Sequence, residues 1–256
     1  MFVMHSFLHH PSYPLPLPIA HRGYSANYPE NTMAAFSAAV DLGYKCLETD
    51  VHATADGRLV AFHDPDLKRV ASVEGRIDTM KWDDLKKIRV KGKEPIPLFE
   101  DVLSSWPDIR FIIDPKEDSA TKPLYDVLVA NNVWDRVCVG SFSDQRLAWI
   151  RSEAGSKLCT SMGPREVFRL RFKSWGIPLG GFGANCVQAP LQDKGVRILD
   201  RSFINKAHSY GFPVQAWTIN DVETMGKLLD LGIDAIMSDE AELMKKFFQK
   251  RGIWRD

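Results

Sequence analysis

Short apolar runs alternate with helix-forming stretches along most of the chain. The apolar runs are rich in β-branched residues and predict strands at 17–20, 46–51, 110–113, 137–140, 157–161, 185–188, 213–218 and 235–238. Helical patterns lie between or after them, near 30–42, 121–131, 143–154, 164–172, 200–210, 221–230 and 241–249. About eight such units in a chain of this length predict an α/β fold, the (β/α)₈ TIM barrel. A doubly wound open sheet is the alternative, but no glycine-rich fingerprint follows the first strand.

A predicted β-hairpin interrupts this alternation after the second strand. Residues 52–62 contain two short stretches around an Asp56-Gly57 pair, which is typical of a two-residue hairpin turn. With Asp56 and Gly57 as the turn residues, counting back along both strands places Asp50 opposite His63. We therefore expect these two polar side chains to lie side by side.

The chain has no internal repeat and no low-complexity linker, so we expect a single domain over residues 1–256. Residues 64–95 are polar and irregular, with one weak helical pattern at 82–88, and we expect 51–96 to form a small insertion. Residues 1–16 are interrupted by prolines and lack a basic residue ahead of their apolar positions. This pattern predicts an extended tail rather than a secretory signal.

The charges balance, with 33 Lys and Arg residues against 33 Asp and Glu residues. This balance lacks the excess of basic residues that is typical of proteins that bind nucleic acids or membrane surfaces. We therefore expect neither a nucleic acid nor a membrane as a partner. No run approaches the ~18 apolar residues of a membrane span. A neutral protein can still bind an anionic small molecule, but it needs a few placed cations to do so. The oligomeric state is left open.

The cysteines are widely spaced and each lies inside a short apolar run: Cys46, Cys138, Cys159 and Cys186. This spacing excludes a zinc-type or redox CxxC pair. It is typical of small, buried, free thiols, which persist in a reducing compartment. We therefore expect a cytoplasmic protein whose core needs no disulfide.

Polar motifs stand at the predicted strand ends that face the active site in a barrel. They are His21-Arg22-Gly23 after the first strand, Glu48-Thr49-Asp50 in the second, His63-Asp64 after the hairpin and Asp114-Pro115-Lys116 after the third. Because the carboxyl ends of parallel strands share one rim, we expect these side chains to converge.

Glu48 and Asp50 are two residues apart, so their carboxylates point to the same face of a strand. On its own this pair has a simpler interpretation, as two surface carboxylates at a strand end. With Asp114 it forms an oxygen-only set, and buried carboxylates are costly unless a cation joins them. The set suits Mg²⁺ or Ca²⁺ better than zinc.

His21 and His63 at the same rim suit a pair of groups that share proton transfers beside a metal site. A lone histidine is more often an ordinary hydrogen-bonded residue. We interpret the remaining histidines in that way, as structural or exposed: His5, His9, His10, His52 and His208.

Arg22 and Lys116 are the cations that an anionic substrate requires, since Arg grips two phosphate oxygens and Lys adds a point charge. The alternative is a salt bridge to the neighbouring carboxylates. Trp217, at the mouth end of the seventh strand, either offers an apolar wall to the substrate or packs in the core at the rim. Residues 30–32 precede a helix, where helix capping is at least as strong an interpretation as substrate contact.

Further motifs complete an ordered set that covers nearly the whole chain after residue 18: Pro29-Glu30-Asn31-Thr32, Val60-Ala61-Phe62-His63-Asp64, Ile96-Pro97-Leu98-Phe99-Glu100, Ala216-Trp217-Thr218-Ile219-Asn220 and the segment 232–239. Together with the strand-end motifs, this set resembles the glycerophosphodiester phosphodiesterase family. Each motif alone is weak, but the ordered set is specific.

The resemblance implies hydrolysis of glycerophosphodiesters to glycerol 3-phosphate and an alcohol, in a barrel with a small insertion after the second strand. It implies divalent-metal ligation by Glu48, Asp50 and Asp114, and acid–base work by His21 and His63. The third metal carboxylate is usually Glu in the family. Because the Asp114 side chain is one methylene shorter, the identity of the ion is left open.

Two other functions are weighed against this one. A lysophospholipase D would use the same chemistry on a lipid and would need an exposed apolar rim, which we expect from Trp82, Ile88 and Val90 in the insertion. A catalytically silent ligand-binding barrel would be expected to lack at least one of the metal or histidine positions, and all are occupied by competent residue types.

Overall fold

The computed structural model describes residues 5–8 and 15–255. Eight parallel strands, paired in chain order with the last beside the first, form the barrel. They are β1 (Leu17–His21), β2 (Cys46–Ala53), β3 (Arg110–Pro115), β4 (Val137–Val139), β5 (Cys159–Thr160), β6 (Val187–Ala189), β7 (Val214–Ala216) and β8 (Ala235–Ser238). A single bridge between Ser161 and Cys186 joins β5 to β6. The prediction of a (β/α)₈ barrel is confirmed.

Helices connect the strands: α1 (Met33–Asp41), α2 (Lys68–Ala71), α3 (Trp82–Leu85), α4 (Phe99–Ser105), α5 (Asp118–Asn131), α6 (Asp144–Ala154), α7 (Pro164–Ser174), α8 (Arg201–Ser209), α9 (Val222–Leu231) and α10 (Ala241–Lys250). The helix predicted from residue 30 begins at Met33, because the Thr32 side chain caps it by accepting a hydrogen bond from the Ala35 amide. The sequence pattern missed α4, which is only seven residues long.

Side chains that point into the barrel form an inner core separate from the one under the helices: Leu17, Ile19, Cys46, Ile112, Cys138, Cys159, Cys186, Ala235 and Met237. Within the predicted extended tail, Ser6–Leu8 instead form a 3₁₀ turn, and Phe7 and Leu8 pack against this inner core. His5 anchors the turn through a 2.8 Å hydrogen bond to the Lys157 carbonyl. The remaining tail positions, 1–4 and 9–14, lie outside the described residues.

The segment after β2 has its own small core. A short strand, Leu59–Ala61, pairs antiparallel with the end of β2, and its Val60 packs in a cluster that includes Phe62, Leu67 and Ile77. Two further short strands, Arg89–Val90 and Glu94–Pro95, pair with each other at its edge. This segment lies beside the carboxyl end of β2, so it positions one side of the barrel mouth.

The register of this hairpin differs from the prediction by one residue. Val51 pairs with Ala61, and the Phe62 amide donates to the Asp50 carbonyl at 2.9 Å, so Asp50 faces Phe62 rather than His63. The cause is a three-residue loop that includes Ala55, closed by a bond from the Thr54 amide to the Arg58 carbonyl. The expected pairing of Asp50 with His63 across the ladder was wrong.

In the part of the chain that the structure describes, no helix has both the length and the apolar character to cross a bilayer. The four cysteines are buried and free, as predicted.

Candidate active site

A cavity of about 490 Å³ opens at the carboxyl ends of the barrel strands. All eight of the predicted site residues line it: His21, Arg22, Glu48, Asp50, His63, Asp114, Lys116 and Trp217. The strand ends therefore bring together residues that are up to 196 positions apart, from His21 to Trp217 (217 − 21).

His21, at the end of β1, is held by carboxylates on both ring nitrogens. Its Nδ1 lies 2.7 Å from Oδ1 of Asp239, and its Nε2 lies 3.7 Å from Oε2 of Glu48. Asp239 follows β8 and also accepts hydrogen bonds from Ser25 and Asn220. Burial disfavours the imidazolium, but Glu48 and Asp239 outweigh it and raise the pKa of His21 above its usual value.

His63, after the hairpin, is held in a similar way by its sequence neighbour. Its Nδ1 lies 2.5 Å from Oδ1 of Asp64, and Arg69 donates two hydrogen bonds to the same carboxylate. Burial and the positive charge of Lys116 lower the pKa of His63, against the opposing effect of Asp50. A carboxylate on Nδ1 fixes the orientation of an imidazole and leaves its Nε2 for chemistry.

Three carboxylates crowd the base of the cavity. Asp50 and Asp114 are register partners on β2 and β3, and Lys116 Nζ lies 3.1 Å from Oδ1 of Asp50 and 3.1 Å from Oδ2 of Asp114. Burial and the charge of Asp50 raise the pKa of Glu48 to about 8, and burial raises that of Asp114 to about 6. Oδ1 of Asp114 is buried and makes no hydrogen bond.

These features fit a cation. A buried carboxylate oxygen of Asp114 has no partner, and burial makes the ionised forms of Glu48 and Asp114 costly without a further positive charge. Within residues 5–8 and 15–255, however, the only set of three ligand-type side chains with donor atoms within 4.8 Å of one another consists of cysteines elsewhere. At least one pair of the three carboxylates therefore stands further apart than that, and Lys116 lies between Asp50 and Asp114.

Arg22 reaches the same carboxylates from the side of β1. Its Nε lies 3.1 Å from Oδ2 of Asp50, an ion pair without the alignment of a hydrogen bond, and its Nη1 donates to Glu30 at 3.0 Å. The turn that aims it is tight, because a Cβ on Gly23 would lie 2.6 Å from the Ala35 backbone. Arg22 and Lys116 thus form the salt bridges to neighbouring carboxylates that the alternative interpretation expected. Both side chains also line the cavity.

Residues 30–32 include both a helix cap and a contact to the site carboxylates. Thr32 caps α1, as one interpretation expected, whereas the buried Asn31 donates to Oδ2 of Asp50 at 3.0 Å and accepts from Thr49 at 2.8 Å. Sequence reasoning placed Asp64 at the rim without a role, weighed Asn31 only as part of a possible substrate contact, and missed Asp239. Because Asp64 adjoins His63 in the sequence, its contact with that ring could have been predicted. No local signal connects Asp239 with His21, which lies 218 positions away.

The far side of the cavity is apolar. Trp217 packs edge-on against Phe142, with ring centroids 5.4 Å apart, and Phe168 stands on the same wall. Phe142 is 61% exposed and Phe168 59% exposed, so both rings face solvent at the mouth. This wall combines Phe142 from the loop after β4, Phe168 from α7 and Trp217 directly after β7.

The apolar rim expected from the insertion is not formed by the residues named for it. Val90 is buried, and Trp82 and Ile88 pack against the insertion's own core. That prediction was wrong because these side chains stabilise the inserted segment instead of facing the mouth.

The sequence model described as the glycerophosphoryl diester phosphodiesterase family matches residues 21–243. The chain is 33% identical, over 92% of each sequence, to a Mycobacterium tuberculosis protein named "Probable glycerophosphodiester phosphodiesterase 2". It is 26% identical, over 90% of this chain and 85% of the relative, to a lysophospholipase D of Rattus norvegicus. A phosphodiesterase of Oleispira antarctica, solved in complex with the product sn-glycerol 3-phosphate, has a similar fold, with a TM-score of 0.75 at 24% identity over 92% of this chain and 97% of that one.

Proposed function

The chain belongs to the glycerophosphoryl diester phosphodiesterase family, which hydrolyses glycerophosphodiesters, and we propose that it does so with His21 and His63 as proton-transfer groups beside a divalent metal ion. The observation that carries this proposal is the pair of imidazoles in one cavity, each held through Nδ1 by its own aspartate. By analogy with the product in the Oleispira antarctica structure, the products are glycerol 3-phosphate and an alcohol.

In this mechanism the phosphate enters between the two histidines. One imidazole takes the proton of the attacking hydroxyl, from water or from the glycerol 2-position, and the other donates a proton to the departing alcohol. Arg22 and Lys116 exchange part of their carboxylate contacts for phosphate oxygens. Asp239 and Asp64 keep the two rings oriented while their charge changes.

Members of this family generally depend on a divalent metal ion. Glu48, Asp50 and Asp114 supply only oxygen donors, which suits Mg²⁺ or Ca²⁺. When bound there, the ion supplies positive charge to the phosphate oxygens and favours attack at phosphorus. The unpartnered oxygen of Asp114 and the raised pKa of Glu48 support this placement.

Chelation tests the metal. Treatment with EDTA followed by gel filtration is expected to abolish hydrolysis of glycerophosphocholine, and added Mg²⁺ or Ca²⁺ is expected to restore it. Circular dichroism before and after treatment separates loss of the ion from loss of the fold. Full turnover by the chelated, folded protein would remove the metal from the mechanism.

The apolar wall favours a second candidate function, the release of a head group from a lysophospholipid. Phe142, Phe168 and Trp217 offer an acyl chain a surface at the mouth that glycerophosphocholine does not need. Phe142→Ala is expected to raise KM for lysophosphatidylcholine several-fold and to leave KM for glycerophosphocholine unchanged. Equal effects on both substrates, or no turnover of the lysolipid by the wild type, would reject this candidate.

A further inference from the structure

Three of the four cysteines meet inside the barrel, below the catalytic cavity. Cys138 on β4, Cys159 on β5 and Cys186 just before β6 are fully buried, and their sulfur atoms all lie within 4.8 Å of one another. The sulfurs of Cys138 and Cys186 are 3.8 Å apart. These residues are far apart in sequence, but strand pairing brings them together, since Cys138 is the register partner of Cys159 and Cys186 bridges to Ser161.

The spacing matches the edge of a metal-thiolate triangle. Three sulfurs that each lie ~2.3 Å from one ion, the length of a metal–thiolate bond, stand roughly 4 Å from one another. Thiolates are soft ligands that select soft ions such as Cu(I). Structural zinc sites are closed by four protein ligands, and among the described residues this set has only three. Three sulfurs therefore suit a low-coordinate, thiophilic monovalent ion.

The surroundings of the sulfurs are compatible with thiolates. Hydrogen bonds from Cys138 and Cys159 lower the pKa of the Cys186 thiol, although burial raises the pKa of the other two. The positive charge of Arg110 acts on Cys159, and that of Arg151 acts on Cys186, each in the direction that favours the thiolate. Arg151 is already ion-paired with Glu166 at 2.9 Å, so its charge offsets only part of the negative charge that ligation would bring into the core.

The cluster also lies between β5 and β6, where the pairing of neighbouring barrel strands is shortest; this junction is called the seam below. Strand β5 has only two residues, and β5 and β6 are joined by the single bridge between Ser161 and Cys186. An ion held by three sulfurs on β4, on β5 and beside β6 would tie this seam together. Cys46, on β2, belongs to the same inner core but not to the set of three.

The catalytic cavity offers the route of entry. Gly140, Ser161 and Gln188 line the cavity, and each lies two residues beyond one of the three cysteines, which is ~7 Å along a strand. The Gln188 side chain crosses close over Gly140, where an added Cβ would lie 2.6 Å from its Oε1. The Gln188 amide also donates to Oε1 of Gln215 at 3.0 Å, so an entering ion would have to displace this side chain.

We propose that Cys138, Cys159 and Cys186 form a binding site for a soft monovalent metal ion of the Cu(I) type, which braces the barrel between β4 and β6. On binding, metal–sulfur bonds replace S–H bonds and the thiol protons pass to the solvent, with no change in oxidation state. The site is separate from the three carboxylates, whose oxygen donors suit hard divalent ions.

A competition titration tests the site. Reduced full-length protein is titrated anaerobically with Cu(I) against a coloured Cu(I) chelator, and the wild type is expected to withdraw one equivalent. Cys186→Ser is expected to lose that equivalent, whereas Cys46→Ser keeps it as the matched buried control. Retention by Cys186→Ser, or loss by Cys46→Ser alone, would overturn the proposal.

Three further measurements keep the result decisive. Histidines also bind copper, so a variant with His5, His9 and His10 replaced by Ala must retain the equivalent. If Cys186→Ser does not fold, X-ray absorption on the copper-loaded wild type decides, because a shell of sulfur alone supports the site and a nitrogen or oxygen shell rejects it. Loaded wild type is also expected to melt at a higher temperature than the copper-free protein.

Discussion

The two ends of the barrel interior differ sharply although the same strands build both. On β2, Cys46, Glu48 and Asp50 all face inward, each ~7 Å beyond the last. The amino end holds thiols, aliphatic side chains and the buried Phe7, whereas the carboxyl end holds ionisable groups with displaced pKa values. One end of the barrel therefore supplies packing, and the other supplies chemistry.

One buried carboxyl group at the chemical end, Glu48, disfavours folding at high pH. A carboxyl group whose pKa is raised in the folded state, like that of Glu48 at about 8, favours folding less as the pH rises from its ordinary value toward 8. The packed end offsets this cost, because its side chains are apolar and lie out of contact with water. Substitutions at either end test this difference.

The largest effect is expected from His63→Ala. Loss of one proton-transfer group is expected to lower turnover of glycerophosphocholine roughly 10³-fold. The thermal midpoint should change little, since His63 is partly exposed and outside the packed core. His208→Ala, on α8 at the opposite end of the barrel, is the control and should keep full turnover. Near-normal turnover of His63→Ala would remove this residue from the mechanism.

Phe7→Ala, at the amino end of the barrel, is expected to lower stability and to leave activity unchanged. Phe7 is 1% exposed, so its removal leaves a cavity and is expected to lower the free energy of unfolding. A loss of about 3 kcal/mol is typical of such a substitution. Turnover per folded molecule should stay unchanged below the unfolding transition. Phe142→Ala, which removes an exposed ring at the mouth, is the matched control and should leave chemical denaturation almost unaltered.

A smaller effect is expected from Asp239→Asn. Asparagine cannot offer the His21 ring a negative charge, so turnover should fall about 10- to 100-fold, as for other partners that orient a functional histidine. KM should be affected less than kcat, because Asp239 acts through His21. Ser25→Ala keeps the carboxylate and removes one of its hydrogen-bond donors, so its effect should be the smaller of the two. An equal loss in both variants would show that packing around Asp239, and not its charge, supports His21.

The sequence was most informative where one element alone decides the outcome. Apolar runs located the strands, and the two-residue spacing of Glu48 and Asp50 placed both at the cavity. It was less informative where two elements must be aligned, as in the hairpin, whose extra loop residue moved the ladder by one position. The division into a single domain with an insertion and the cytoplasmic location stay predictions.

The sequence by itself determined the barrel, the strand ends that carry the polar motifs, and the family to which they belong, because each follows from short-range periodicity and from residue order. The tertiary structure alone decided that Asp239 holds His21, that the apolar wall stands on Phe142 and Phe168, and that three distant cysteines share one layer. These relations depend on strand pairing and register, which place Cys138 opposite Cys159 and β8 beside β1, and on the curvature of the closed sheet. Curvature depends on the packing of all eight strands together, so no local pattern can encode it.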